Sequence, residues 1–311
     1  MTKHENASRA RGSARLGVVA AEPALGRRAT HATLAADPPQ TPKTLSGSDL
    51  VTQAAPKAHL GSIGIDAEEI GKVAGRVIVM VHGWGVDRRV LRPLADLLSD
   101  DHRVLLLDLR GHGASAAGRD DFSIEAFADD VTAVIAALGL ERPIVVGHSM
   151  GGLVALELAA RGVAHGAVLL ECHVAVGADA TAPLRPVVER LAGDEAEATV
   201  ARLLEYLMGP EVDARARSEL LAAARRVPRH VLGPALRAAL DYDNASAAAR
   251  VTAPMLYVGT GAPYADLARL RALTRRLSVG QVVASSHFFP MTVPDQVAPM
   301  IRAFLRQSLT D

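Results

Sequence analysis

The sequence predicts an α/β fold, a mostly parallel and doubly wound sheet that carries an inserted all-helical segment. Three observations point there. Aliphatic or β-branched runs at 77–81, 104–107, 144–146, 167–170 and 255–258 have the continuous apolar character of strands buried on both faces. Segments with apolar residues at helical spacing separate them, which is the alternation of parallel strands with crossover helices. From 174 to 243 that alternation stops. There Arg and Glu interleave with Leu and Ala at helical spacing, broken by Pro183, Pro186, Pro210, Pro228 and Pro234, and no strand-like run intervenes.

Composition bounds the function. A chain of 311 residues with 49% hydrophobic and 22% charged side chains can bury a large core and reads as a soluble globular protein. The formal net charge is zero, so nothing steers it toward nucleic acid or an anionic membrane surface. Aromatics are only 3%, which argues against base-stacking platforms. Cys172 is the single cysteine, so an intramolecular disulfide and a thiolate metal site are both excluded. No apolar run is long enough to cross a bilayer, and Arg27-Arg28 is not followed by the apolar stretch of an export signal. The expectation is a cytoplasmic protein with a small-molecule substrate and no metal or cofactor; no oligomeric state follows.

Taken in order, residues 1–58 mix Ala, Arg, Gly, Thr and Pro without sustained periodicity and read as a poorly ordered extension. An early strand is expected at 60–65. The strand at 77–81 runs into His82-Gly83-Trp84-Gly85; a helix over 89–98 and a strand at 104–107 follow. Ser123 is placed to cap a helix that runs to 138, with Asp129 and Asp130 on its solvated face. The strand at 144–146 then leads into Gly147-His148-Ser149-Met150-Gly151, a G-x-S-x-G match, and Leu153 and Leu156 continue at helical spacing. A sharp strand-to-helix turn crowds the backbone, and glycines two places either side of the serine relieve that crowding. The Ser149 hydroxyl is thereby left projecting into a cleft. The same turn sets the Met150 N–H at a helix N-terminus, able to stabilise a developing oxyanion. After the helical segment, a strand at 255–258, a basic helix over 265–277, a last strand at 281–283 and a closing helix over 294–305 complete the chain.

With four segments on the page, the chain resembles the α/β-hydrolase family over about residues 73–308. They are His82-Gly83-Trp84-Gly85, Asp108-Leu109-Arg110-Gly111-His112-Gly113-Ala114-Ser115, Gly147-His148-Ser149-Met150-Gly151-Gly152, and the late His287. The resemblance implies a sheet of the α/β-hydrolase type: a core of 59–173 and 244–311, and a helical lid at 174–243 that excludes water and sets substrate choice. It implies a triad of Ser149, His287 and an acid, with the backbone N–H groups of Trp84 and Met150 as the oxyanion hole. An imidazole serves as general base because its pKa lies near neutrality. Asp108 and His112 precede the serine, whereas the family's acid and histidine follow it, so they are read as loop-shaping residues.

The acid departs from the family's commonest pattern. The position expected to hold an aspartate after the strand at 255–258 is Ala262. Glu171, at the end of the strand after the nucleophile helix, is the preferred candidate; Asp266 is the alternative. The implied activity is a serine hydrolase acting on a small or aliphatic carboxylic ester. A carbon–carbon bond hydrolase, a cofactor-free lyase or oxygenase, and a ligand-binding receptor without turnover are the readings to weigh against it.

Overall fold

Strand pairing brings one edge of the sheet, where the chain leaves each parallel strand, into a single line of loops. The computed structural model describes residues 60–308, apart from 73 and 119, together with Gln53–Ala54. The sheet has eight strands: β1 Gln53–Ala54, β2 Ala67–Gly71, β3 Val77–Val81, β4 Arg103–Leu107, β5 Ile144–His148, β6 Gly166–Leu170, β7 Met255–Gly259 and β8 Leu277–Gln281. Their order is β1-β2-β4-β3-β5-β6-β7-β8. Only the β1–β2 and β2–β4 pairs are antiparallel. β3 lies between β4 and β5, with Val81 opposite both Leu107 and Gly147. The strand order reverses there, and a parallel α/β sheet opens its crevice at such a point.

The helices are α1 Arg92–Ser99, α2 Ile124–Ala137, α3 Met150–Ala160, α4 Ala178–Thr181, α5 Arg185–Arg190, α6 Ala196–Leu207, α7 Ala214–Arg226, α8 Arg229–Asp241, α9 Asn244–Arg250, α10 Leu267–Leu273, α11 Phe289–Thr292 and α12 Pro294–Ser308. α3 packs on α2 and α9, and α1 on α12. Ile78, Val79, Met80 and Val81 are fully buried, as strands covered on both faces must be. The segment between β6 and β7 contains helices and, among the described residues, no strand. Ser123 caps α2, its hydroxyl accepting from the Ala126 N–H at 3.1 Å.

Several expectations are corrected. Residues 60–65 form a turn, with the Ile63 and Gly64 N–H groups both donating to the Leu60 carbonyl. Gly64 there takes a φ of 77°, open to glycine at no steric cost. The early strand is Ala67–Gly71 instead, second from the edge of the sheet, whose Glu68 and Glu69 are drawn in by Arg92 and Arg103. Gln53–Ala54, inside the stretch read as an extension, pairs with it; the remainder of 1–58 lies outside the described residues. Asp130 is not solvated: it takes two hydrogen bonds from Arg110, at 2.5 and 2.6 Å. The last strand is Leu277–Gln281, in parallel register with Met255–Gly259. The Val282-Val283 pair that suggested a strand lies beyond it, with Val283 63% exposed. α10 is shorter than the expected helix, starting at its Asp266 cap and ending before an extended Thr274.

Candidate active site

Ser149 occupies the tight bend between β5 and α3 with φ 54° and ψ −118°, a conformation that a non-glycine residue holds only under constraint from its surroundings. Those surroundings are built for it. A Cβ on Gly147 would stand 1.9 Å from the Gly151 carbonyl oxygen, and one on Gly151 would stand 2.3 Å from that of Val81, so neither position admits a side chain. The Ser149 N–H donates to the Leu170 carbonyl at 2.9 Å, and its own carbonyl accepts from Gly152 at 2.9 Å. The side chain makes no capping bond to α3 and is only half-buried. Its hydroxyl is therefore not committed to holding the helix.

The turn after β3 runs over this bend: a Cβ on Gly83 would come within 3.2 Å of the Ser149 Cβ. Its histidine is structural. His82 Nδ1–H donates to the Gly83 carbonyl at 2.7 Å and Nε2 accepts from the Leu109 N–H at 3.0 Å. Burial lowers its pKa to about 4, so it stays neutral. The Trp84 indole donates to the Leu232 carbonyl of α8 at 2.8 Å. Its backbone N–H donates to no backbone carbonyl among the described residues. Met150 begins α3, where helix geometry leaves the first N–H groups unpaired.

His287 lies on the loop after β8, fully buried and packed beside the bend. His148 Nε2–H donates to the His287 carbonyl at 2.8 Å, and the two rings are 4.7 Å apart. Tyr264 covers His287 from another side, with centroids 5.5 Å apart. Burial, then His148 and His173, hold the His287 pKa well below 6.5. His287 Nδ1 is buried without a hydrogen-bond partner. An imidazole so placed is neutral and free to accept a proton once a counter-charge offsets its burial, with one nitrogen still lacking an orienting group.

Among the described residues four carboxylates are buried: Asp87, Asp108, Glu157 and Glu171. Arg89 and Arg226 pair with Asp87, Arg88 with Asp108, and Arg161 and Arg250 with Glu157. Glu171 alone has no cation, only the Thr260 N–H on one oxygen at 2.8 Å and the Thr260 hydroxyl on the other at 3.0 Å. It sits at the end of β6 with φ 46°, and burial raises its pKa. No hydrogen bond joins it to His287. Asp266 is exposed, and its carboxylate caps α10 by accepting from the Arg269 N–H at 2.9 Å. Asp108 accepts from the Arg88 and Ala114 N–H groups at 2.9 Å each and shapes its loop. His112 is likewise internal, its Nδ1–H donating to the Arg110 carbonyl at 3.0 Å.

Three residues around His287 escape a reading of the sequence. His148 falls at the unconstrained second position of G-x-S-x-G. Tyr264 sits in a loop, and Glu211 in a turn of the helical segment, where it accepts from the Ser286 N–H at 2.6 Å. The scarcity of aromatics was a usable signal for Tyr264; nothing local marks the other two. Among the described residues no group of three or more His, Cys, Asp or Glu side chains could hold a metal ion.

The profile of the alpha/beta hydrolase family matches residues 78–300. The chain belongs to this family. Its members' fold recurs in an enol-lactonase from Burkholderia xenovorans LB400, with a TM-score of 0.71 at 20% identity over 78% of this chain and 96% of that one. It recurs too in a thermophilic esterase from Thermogutta terrifontis, with a TM-score of 0.69 at 23% identity over 79% and 94%. At these identities the likeness speaks for the fold. In sequence the chain is 28% identical over 241 residues to the biotin biosynthesis bifunctional protein BioHC of Cellvibrio japonicus, covering 73% of this chain and 47% of that protein. It spans less than half the length of the curated relatives it matches. Among the described residues, no helix is long and apolar enough to cross a membrane.

Proposed function

We propose that the chain is a serine hydrolase that cleaves carboxylic esters through an acyl-serine intermediate. The observation that carries this reading is the strained bend that leaves the Ser149 hydroxyl uncommitted, with the neighbouring His148 packed against a neutral, buried His287. His287 takes the serine proton as the hydroxyl attacks the ester carbonyl, and returns it to the departing alkoxide. The N–H groups of Trp84 and Met150 receive the oxyanion, already fixed in place before charge develops. Glu171 orients the imidazole and stabilises its charged form, the counter-charge that this carboxylate otherwise lacks.

The helices between β6 and β7 act as a lid. The Trp84 indole, His173 Nε2–H, which donates to the Ala239 carbonyl at 2.8 Å, and the Gly209 N–H, which donates to Ser286 Oγ at 2.9 Å, tie them to the loops around the serine. Between α6, α7 and α8 lies a cavity of about 300 Å³ whose lining joins Val200, Leu221 and Leu232 with the charged Glu197, Arg225 and Arg229 and includes none of Ser149, Trp84 and His287. An aliphatic acyl group is supported instead by the Leu, Val and Ala residues that recur through the helical segment.

One observation favours a second reading. Glu171 is bonded to Thr260 rather than to His287, so a lyase or oxygenase in which the histidine deprotonates a bound ligand without acylation fits the same pocket. A fluorophosphonate probe separates the two. Stoichiometric labelling of the wild type, lost in Ser149→Ala together with p-nitrophenyl ester turnover, is expected; an unlabelled but active enzyme would establish the second reading.

A further inference from the structure

The proton returned by His287 goes to the leaving oxygen, so the substituent on that oxygen must lie against whatever lines the open side of the imidazole. The ring there is Tyr264, tilted 31° to the imidazole plane and 41% exposed. The whole chain has four tyrosines, five phenylalanines and one tryptophan. Among the described residues the exposed large hydrophobics are Tyr206, Tyr264 and Val283. Tyr264, one of few aromatic side chains in the sequence, thus leaves open ring surface beside His287. Exposed aromatic surface of this kind is a recognition feature rather than a packing one.

We infer that the enzyme prefers esters of aromatic alcohols, seating the leaving group's ring on Tyr264. The inference rests on the serine-hydrolase reading and adds the substrate's second half: an aliphatic acyl group on one side of the scissile bond and an aryl-bearing alcohol on the other. The Tyr264 hydroxyl need not act. The face of the ring does the recognising, through offset or edge-on contact with the ligand ring.

Benzyl acetate and cyclohexylmethyl acetate form a matched pair, similar in size and both releasing a primary alcohol, so leaving-group acidity is nearly held fixed. The wild type is expected to favour benzyl acetate in kcat/KM by about three- to tenfold, the range of an aromatic pair. Tyr264→Leu should bring the ratio close to one, and Tyr264→Phe should keep it. The ratio within each variant is insensitive to a general loss of activity, and fluorophosphonate labelling reports whether a variant is folded. A labelled wild type that does not distinguish the two esters overturns this inference alone, as does a preference unchanged in Tyr264→Leu. A wild type that hydrolyses neither ester and takes no label at Ser149 overturns the hydrolase reading, and this inference with it.

Discussion

A carboxylate in a protein interior needs a counter-charge or several donors, and Glu171 has only the two that Thr260 supplies. If it serves His287, its main partner appears during turnover, when the imidazole carries a proton. Replacing it by glutamine keeps the shape and removes the charge. Glu171→Gln is therefore expected to lower kcat by about 10²- to 10⁴-fold in an ester assay. Asp266→Asn should stay within a few-fold of wild type, because that side chain caps a helix and asparagine caps as well. Stability should move the other way. Burial raises the Glu171 pKa in the fold, so its favourable contribution is complete below the ordinary value of 4.5 and is lost as pH rises through the raised one. At pH 7.5 the charged carboxylate destabilises the fold, and Glu171→Gln should melt higher than wild type; near pH 4 the two should melt together. A variant that melts lower at pH 7.5 would mean the carboxylate is structural.

Elements differ in how far the chain discloses them. The central strands were legible because burial on both faces demands unbroken apolar runs, and β3, β5, β6 and β7 lie where those runs stand. β2, next to the edge, was not, because its charged side chains are settled by distant partners: Arg92 and Arg103 hold Glu68 and Glu69, and nothing near either glutamate announces it. The site divides along the same line. Ser149 and His287 are marked by a local bend and by a place after the last strand. His148, Tyr264 and Glu211 matter through contacts made across the sequence, which leave no local pattern. Glu211 gives an element-scale prediction. With the Gly209 N–H on Ser286 Oγ and the Glu211 carboxylate on the Ser286 N–H, the turn between α6 and α7 is fastened to the residue before His287. A Cβ on Gly209 would stand 2.1 Å from that carboxylate, so the glycine is what lets it turn in. Glu211→Ala is expected to speed hydrogen exchange at Ser286 by about tenfold, the loss of one charge-assisted bond, and to lower kcat/KM. Glu211→Gln, which can still accept, should lose much less; unchanged exchange in Glu211→Ala would show that the fastening holds nothing.

At the scale of the molecule, the site's neutrality is shared by a set of internal histidines. His82 and His148 are lowered to about 4 and His112 to about 3, each chiefly by burial, and His287 is held well below 6.5. Unfolded, all four regain the ordinary value of 6.5 and take up protons that the folded chain refuses. The sign follows from linkage: between about pH 6.5 and 4 the unfolded state binds more protons, so stability is full above that window and falls as pH drops through it. Each proton contributes about 1.4 kcal/mol per pH unit. Glu171 and Asp108 oppose this, since burial raises their pKa values and the fold holds their protons more tightly. Burial lowers His102 and His173 as well, so two groups against six leave a net uptake of about two to six protons on unfolding at pH 5. Calorimetry in two buffers of different ionisation enthalpy measures that number directly, and the melting temperature should drop steeply between pH 6.5 and 5 while staying level from 7 to 8. Zero uptake, or a release of protons, would mean that the histidines around the serine are charged in the fold, and His287 could not then be the base.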